Sequence, residues 1–142
     1  MNVDSAIKKY LLDQPESKRI ELEKLHRGIL NMNPMCRLWF LDGKNEKGKV
    51  VSNPSIGYGS RIIKYANGKS REFYQIGLSA NTLGISVYVM GVEDKGYLSA
   101  TFGKRLGKAT VTRYCIRFKR LEEIDFKVLE EVFRFGLENG RL

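Results

Sequence analysis

The sequence predicts a single α+β domain, in which N-terminal helices and a C-terminal helix pack on one face of an antiparallel sheet of about five to six strands. Residues 54–90 predict three strands joined by tight turns at Asn67-Gly68 and at 81–84, and such turn residues between strands are a strong hairpin signal. Segments with helical periodicity precede and follow this meander. The predicted strands alternate between an apolar and a mixed face, as expected when helices cover one side of a sheet.

The flanking elements are predicted from the spacing of apolar residues, which recur every three or four positions in helices and every second position in strands. Before the meander we predict helices at 5–13 and 15–31, a strand at 36–41 and a polar loop at 42–49. After it we predict a helix at 92–102, a strand at 109–118 and an amphipathic helix at 121–137. Gly103 is predicted to end the first of these later helices as its C-terminal cap.

Side-chain alternation along three predicted strands assigns the two faces of the sheet. The helix-covered face is predicted to carry Tyr74, Ile76 and Leu78, then Ile85, Val87 and Val89, then Tyr114, Ile116 and Phe118. The opposite face is predicted to carry Phe73, Gln75 and Gly77, then Ser86, Tyr88 and Met90, then Arg113, Cys115 and Arg117. The second face mixes polar, basic and large residues, so we predict that it is uncovered.

The length of the chain predicts a single domain, and its net charge predicts that any charged partner is anionic. The chain has 142 residues and a net charge of +9, which favours anions such as phosphates, nucleic acid or acidic proteins. No apolar run approaches the roughly 20 residues of a membrane span, and we predict no membrane partner. Two cysteines do not make a disulfide framework, and the start of the chain has no secretory signal, so we predict a cytoplasmic location.

The motifs that normally indicate a nucleotide, metal or catalytic site are incomplete. Gly103 to Thr110 resembles a phosphate loop, but only three residues separate its glycines and Ala109 follows Lys108. Gly57-Tyr58-Gly59 lacks the third glycine of a dinucleotide site. His26 is the only histidine, which excludes a two-histidine metal site. We therefore predict no cofactor and no metal, and we favour a protein that is not an enzyme.

The meander and the last strand carry motifs that resemble the YdhG-like family, also called the domain of unknown function 1801. The matching segments are PSIGYGS at 54–60, KY at 64–65, NG at 67–68, GLS at 77–79, ISVYVM at 85–90 and CIRFKRLEEID at 115–125. The similarity covers about residues 3–139, and it departs from the family at 112–114, where many members carry Gly-Lys-Ser. The resemblance implies a single YdhG-like α+β domain over residues 1–142. It implies no activity for most members, and some relatives resemble frataxin-type iron chaperones in fold.

Three functions remain open from the sequence, and we favour the first. The protein is predicted to be a non-enzymatic module that binds a small ligand or a protein on the uncovered sheet face or at the basic loop 104–108. The alternatives are an iron-handling protein of frataxin type and a non-specific nucleic-acid binder, of which we expect nucleic acid less. A homo-oligomer formed through the uncovered face is also possible.

Five residues are the candidates for binding an anionic ligand: Arg113, Arg117, Tyr88, Lys104 and Lys108. Arg113 and Arg117 are predicted to lie on one strand, on the face that points away from the core, with Cys115 between them. Two guanidinium groups on one face of a strand can clamp a carboxylate or a phosphate, because their donors are planar and forked.

Overall fold

A computed structural model describes residues 2–139, and it confirms the α+β class. The helices are α1 (Val3–Leu12), α2 (Glu16–Met32), α3 (Lys104–Leu106) and α4 (Phe126–Glu138); a π-helical segment, Ser99–Gly103, leads into α3. The strands are β1 (Leu38–Leu41), β2 (Ser55–Tyr58), β3 (Arg61–Lys64), β4 (Ser70–Phe73), β5 (Ile76–Asn81), β6 (Gly84–Val89), β7 (Thr110–Val111) and β8 (Cys115–Phe118).

Six strands form one antiparallel sheet in the order β1-β2-β5-β6-β8-β7, and β3 and β4 form a separate two-stranded ribbon. The ribbon interrupts the predicted meander, because the chain bends between β2 and β3 and again between β4 and β5. Both predicted turns are present: Asn67-Gly68 joins β3 to β4, and the turn at 81–84 joins β5 to β6. No helix in the described part of the chain is long and apolar enough to cross a membrane.

One hydrophobic core lies between the sheet and the helices. It contains the strand residues Ile56, Tyr58, Ile76, Leu78, Ile85, Val87, Val89, Ile116 and Phe118 and the helix residues Ile7, Leu22, Leu25, Ile29, Leu129, Val132 and Phe133. The predicted alternation is therefore correct for β6 and for the regular parts of β5 and β8. Within residues 2–139, the helices pack on this face only, and none of them covers the other face.

Tyr74 and Gln75 lie on the faces opposite to those predicted. Tyr74 is buried on the uncovered face, while Gln75 turns toward the helices and donates to the carbonyls of Leu137 (2.9 Å) and Asn139 (3.1 Å). The bend between β4 and β5 breaks the alternation, so residues two positions apart no longer share a face.

The prediction is also wrong for Tyr114, which is 50% exposed rather than buried. The predicted strand 109–118 is two strands joined by a two-residue turn at Arg113-Tyr114, closed by a hydrogen bond from the Thr112 amide to the Cys115 carbonyl (2.9 Å). The predicted helix 92–102 starts only at Tyr97 and continues past Gly103. Gly107, with φ of 99°, ends it, because that backbone conformation strongly favours glycine.

The ring of Tyr74 lies directly across Gly57 and Gly77, which face each other on β2 and β5. A Cβ added at Gly57 would lie 2.7 Å from the Tyr74 ring and 2.8 Å from its Cβ, and one at Gly77 would lie 2.7 Å from the same ring. Contacts this short require one side chain to move, and Tyr74 is itself buried, with the Phe73 ring packed against it at 4.1 Å. Both positions therefore require glycine for reasons of space.

We expect Gly57→Ala to lower the free energy of unfolding by about 2 kcal/mol, because the added methyl group overpacks the Tyr74 ring. Urea denaturation followed by circular dichroism measures the change. Gly96→Ala is the matched control, since the nearest atom to its added Cβ is 3.8 Å away. In a Tyr74→Ala background the Gly57→Ala cost should largely vanish; equal costs at Gly57 and Gly96 in the wild-type background would contradict this packing.

Candidate functional site

A cleft of about 670 Å³ opens at one end of the sheet, and it is the strongest candidate for a small-ligand site. It lies between the β5–β6 turn, the loop 107–110 and the end of β8. Its lining residues are Asn81, Leu83, Gly84, Ile85, Lys108, Ala109, Thr110, Arg117, Phe118, Lys119 and Glu123. The volume is within the range of about 300–1,000 Å³ that is usual for small-molecule sites.

The backbone around Lys108 and Arg117 is fixed by hydrogen bonds. The amide of Lys108 donates to the carbonyl of Glu123 (3.2 Å), and the neighbouring Asp125 amide donates to the carbonyl of Leu106 (2.8 Å). Arg117 lies within β8, where it is paired with Ser86 on β6 and with Thr110 on β7. The small neighbours on both sides leave the arginine side chain exposed.

The charges in the cleft favour an anion. Lys108, Arg117 and Lys119 contribute three positive charges, and Glu123 contributes the one negative charge. Lys108 and Glu123 form an ion pair at 3.4 Å, whereas Arg117 and Lys119 form no ion pair within residues 2–139. A guanidinium without a carboxylate partner has its forked donors free for an anionic ligand.

The structure brings together two of the five predicted site residues, Lys108 and Arg117, in this cleft. Lys104 lines a neighbouring hollow beside Ser99 and Ala109 instead. Arg113 lies in the two-residue turn before β8, so it does not stand on one strand with Arg117 as the predicted clamp required. Anion binding by any of these residues stays a prediction.

An aromatic band crosses the uncovered face of the sheet, and we define it as Trp39, Phe73, Tyr74, Tyr88 and Tyr114. Phe73 and Tyr74 pack with ring centroids 4.1 Å apart, Trp39 meets Phe73 edge-on at 5.9 Å, and Tyr88 lies 6.5 Å from Tyr114. Tyr88 and Phe73 are on this face as the alternation predicted. Tyr74 and Tyr114 belong to the band although alternation predicted them on the helix-covered face, and Trp39 belongs to it although no face was predicted for it.

The signal that could have revealed the band is the pair Gly57 and Gly77. Two glycines facing each other on neighbouring strands leave a gap that a large aromatic side chain commonly fills. Only the register of β2 on β5 places the two glycines opposite each other, and the local sequence does not contain that register.

Two arginine side chains pack over rings of the band. The Arg37 guanidinium lies 3.9 Å from the centroid of the Trp39 ring and pairs with Glu72 at 2.6 Å, and Arg71 lies 4.3 Å from the centroid of the Phe73 ring. Arg71, Arg113 and Arg117 form no ion pair with any carboxylate of the described residues. The band is therefore bordered by positive charge.

Burial favours the neutral, protonated form of two tyrosines and one cysteine on this face. Burial raises the pKa of Tyr74 to about 12, and burial also raises the pKa of Tyr88. Burial likewise raises the pKa of the Cys115 thiol, and that of the Cys36 thiol elsewhere in the fold. A raised thiol pKa disfavours the thiolate, which is the nucleophilic form of cysteine.

His26 is half-buried on α2, where its Nδ1 lies 2.6 Å from the hydroxyl of the fully buried Tyr58. Burial raises the pKa of Tyr58 well above its usual value, so the phenol keeps its proton. The tautomer of His26 decides which of the two groups donates in this hydrogen bond. Burial, with a smaller effect from Arg27, lowers the pKa of His26. The histidine therefore helps to satisfy a buried hydroxyl and is paired inside the fold.

We expect the free energy of unfolding to fall as the pH drops below about 6.5, the ordinary pKa of histidine, because unfolded His26 then binds a proton that folded His26 resists. Above that pH the ring is neutral in both states and has no effect on the slope. Denaturant unfolding at several pH values between about 5 and 8 measures the dependence. The variant His26→Gln should flatten the curve in that window, and an unchanged slope would show that another group is responsible.

No family model, curated protein or solved structure matches this chain. Within residues 2–139, no group of three or more His, Cys, Asp and Glu side chains is placed to hold a metal ion. Iron handling and membership of the YdhG-like family stay predictions from the sequence resemblance.

Proposed function

We propose that this protein is a non-enzymatic binding module whose cleft takes a small anionic ligand. The observation that carries the proposal is the meeting of Lys108, Arg117 and Lys119 around one open cleft with Glu123 as the only acidic group in its lining. The YdhG-like motifs are consistent with this proposal, since that resemblance implies no activity for most members.

The ligand class follows from the donors. Arg117 offers a planar pair of N–H groups that matches the two oxygens of a carboxylate or phosphate, and the lysines add mobile point charges. Apolar atoms of Leu83, Ile85 and Phe118 also line the cleft, so the ligand has a hydrocarbon part beside its charged group.

A binding role is favoured over catalysis by the state of the reactive side chains. Both thiols have raised pKa values, and the lone histidine is hydrogen-bonded to Tyr58 rather than to a thiol or hydroxyl nucleophile. A nucleophile needs an adjacent base or a lowered pKa to be activated.

We expect inorganic phosphate or succinate to raise the melting temperature of the protein at constant ionic strength. At tenfold excess over Kd, the stabilisation is about 1.4 kcal/mol, which corresponds to roughly 5 °C for a domain of this size. The double variant Lys108→Ala/Arg117→Ala should lose the shift, because it removes two of the three cations in the cleft. Thermal-shift titration followed by calorimetry is the measurement.

The matched control is Lys104→Ala, which removes one positive charge from the same basic stretch without touching the cleft. It should keep the full shift. If Lys104→Ala loses as much as the double variant, general charge and not the cleft is responsible. If neither anion shifts the wild-type melting temperature, the proposal fails.

A further inference from the structure

The uncovered sheet face combines exposed aromatic area with three arginines, Arg71, Arg113 and Arg117, that form no ion pair within residues 2–139. We infer that this face binds single-stranded nucleic acid, with bases packed along the aromatic band and phosphates on Arg71, Arg113 and Arg117. This goes beyond the small anionic ligand proposed for the cleft, because it assigns a second surface and a polymeric partner.

The size of the band suits a short single strand. From Trp39 on β1 to Tyr114 beside β8 the band crosses four strand spacings of the sheet, which is about 19 Å. Sheets of four strands that bind RNA use their aromatic residues to stack about two or three bases. The six-stranded sheet therefore offers a platform of at least that length.

The chemistry of the band suits bases rather than a protein helix. Tyr114 is 50% exposed, and Trp39, Phe73 and Tyr88 are half-buried, so each keeps part of its ring accessible. Arg37 and Arg71 lie over the rings at the β1 end, where a base can stack on a guanidinium plane as it does on an aromatic ring. Burial raises the pKa of Tyr74 and Tyr88, so their hydroxyls add no charge that would repel phosphate.

The positive charge around the band favours single-stranded nucleic acid over an uncharged partner. Arg113 and Arg117 border the band on its β8 side and Arg71 borders it near Phe73, so positive charge lies on both sides of the rings. Among the described residues, Glu72 is the one carboxylate that forms an ion pair at the band, and its partner is Arg37. Single-stranded rather than duplex nucleic acid is expected, because bases inside a duplex are already stacked on one another.

The test is a fluorescence-anisotropy titration of a labelled oligothymidine of about 12 nucleotides at low salt, with a duplex of the same length for comparison. Trp39 is the only tryptophan of the chain, so quenching of its emission reports contact at the β1 end of the band independently of the label. We expect binding of the single strand, tighter than that of the duplex, with quenching at the same concentrations.

The residues chosen for substitution are exposed, so we expect the variants to fold. Tyr114→Ala should weaken binding about tenfold, as loss of one stacked base does, and Tyr114→Phe should retain it. Arg71→Ala and Arg113→Ala should each reduce the slope of log K against log salt by about 0.7, the value for one phosphate contact to a single strand. Arg117 is left unchanged because it also lines the cleft. Arg27→Ala, which removes an exposed arginine from the helix side, is the matched control and should change neither quantity.

Several results overturn the inference. One is the absence of oligonucleotide binding at low salt, and another is tighter binding of the duplex. A loss with Arg27→Ala equal to that with Arg71→Ala would assign binding to net charge alone. If gel filtration shows a dimer that Tyr114→Ala dissociates and the oligonucleotide does not, then the face is occupied by a second copy of this chain.

Discussion

The packing of Tyr74 against the bare backbone of Gly57 and Gly77 organises the uncovered face of the sheet. No helix covers this face, so the aromatic ring is what shields the backbone of β2 and β5 there. Burial of such a ring stabilises the fold by about 1.5–3 kcal/mol. Phe73 then packs on Tyr74 at 4.1 Å and Trp39 on Phe73 at 5.9 Å, so the rest of the band depends on where this one ring lies.

The same bend that places Tyr74 also attaches the last helix to the sheet. Gln75 follows Tyr74 and points the other way, and its amide donates to two carbonyls at the C-terminal end of α4. Those carbonyls have no partner within their own helix, and a buried acceptor without a donor is costly. Asn139 adds a second link by donating to the carbonyl of Gly91 (3.1 Å). The bend at Tyr74 and Gln75 thus places one side chain on the uncovered face of the sheet and joins the sheet to α4 through the other.

Local patterns predicted the fold class, both turns and most of the core, because apolar periodicity is a property of neighbouring residues. They gave the wrong face for Tyr74, where the strand bends, and for Tyr114, where the strand is interrupted by a turn. The cause of the first failure is distant, since Gln75 is 62 residues from its acceptor Leu137. For the site, the sequence identified Lys108 and Arg117 separately. Their meeting depends on the pairing of β8 with both β6 and β7, which no local pattern contains.

The cleft and the band meet at Arg117, which lines the cleft and lies on β8 beside the band. On β8 it is flanked across the sheet by Ser86 and Thr110, whose short side chains leave the arginine side chain exposed. Lys108 is less free, because Glu123 holds it at 3.4 Å. An exposed pair of this kind contributes little to stability, so an arriving anion can displace the carboxylate at small cost. The pair with Glu123 therefore leaves Lys108 available to an anion in the cleft.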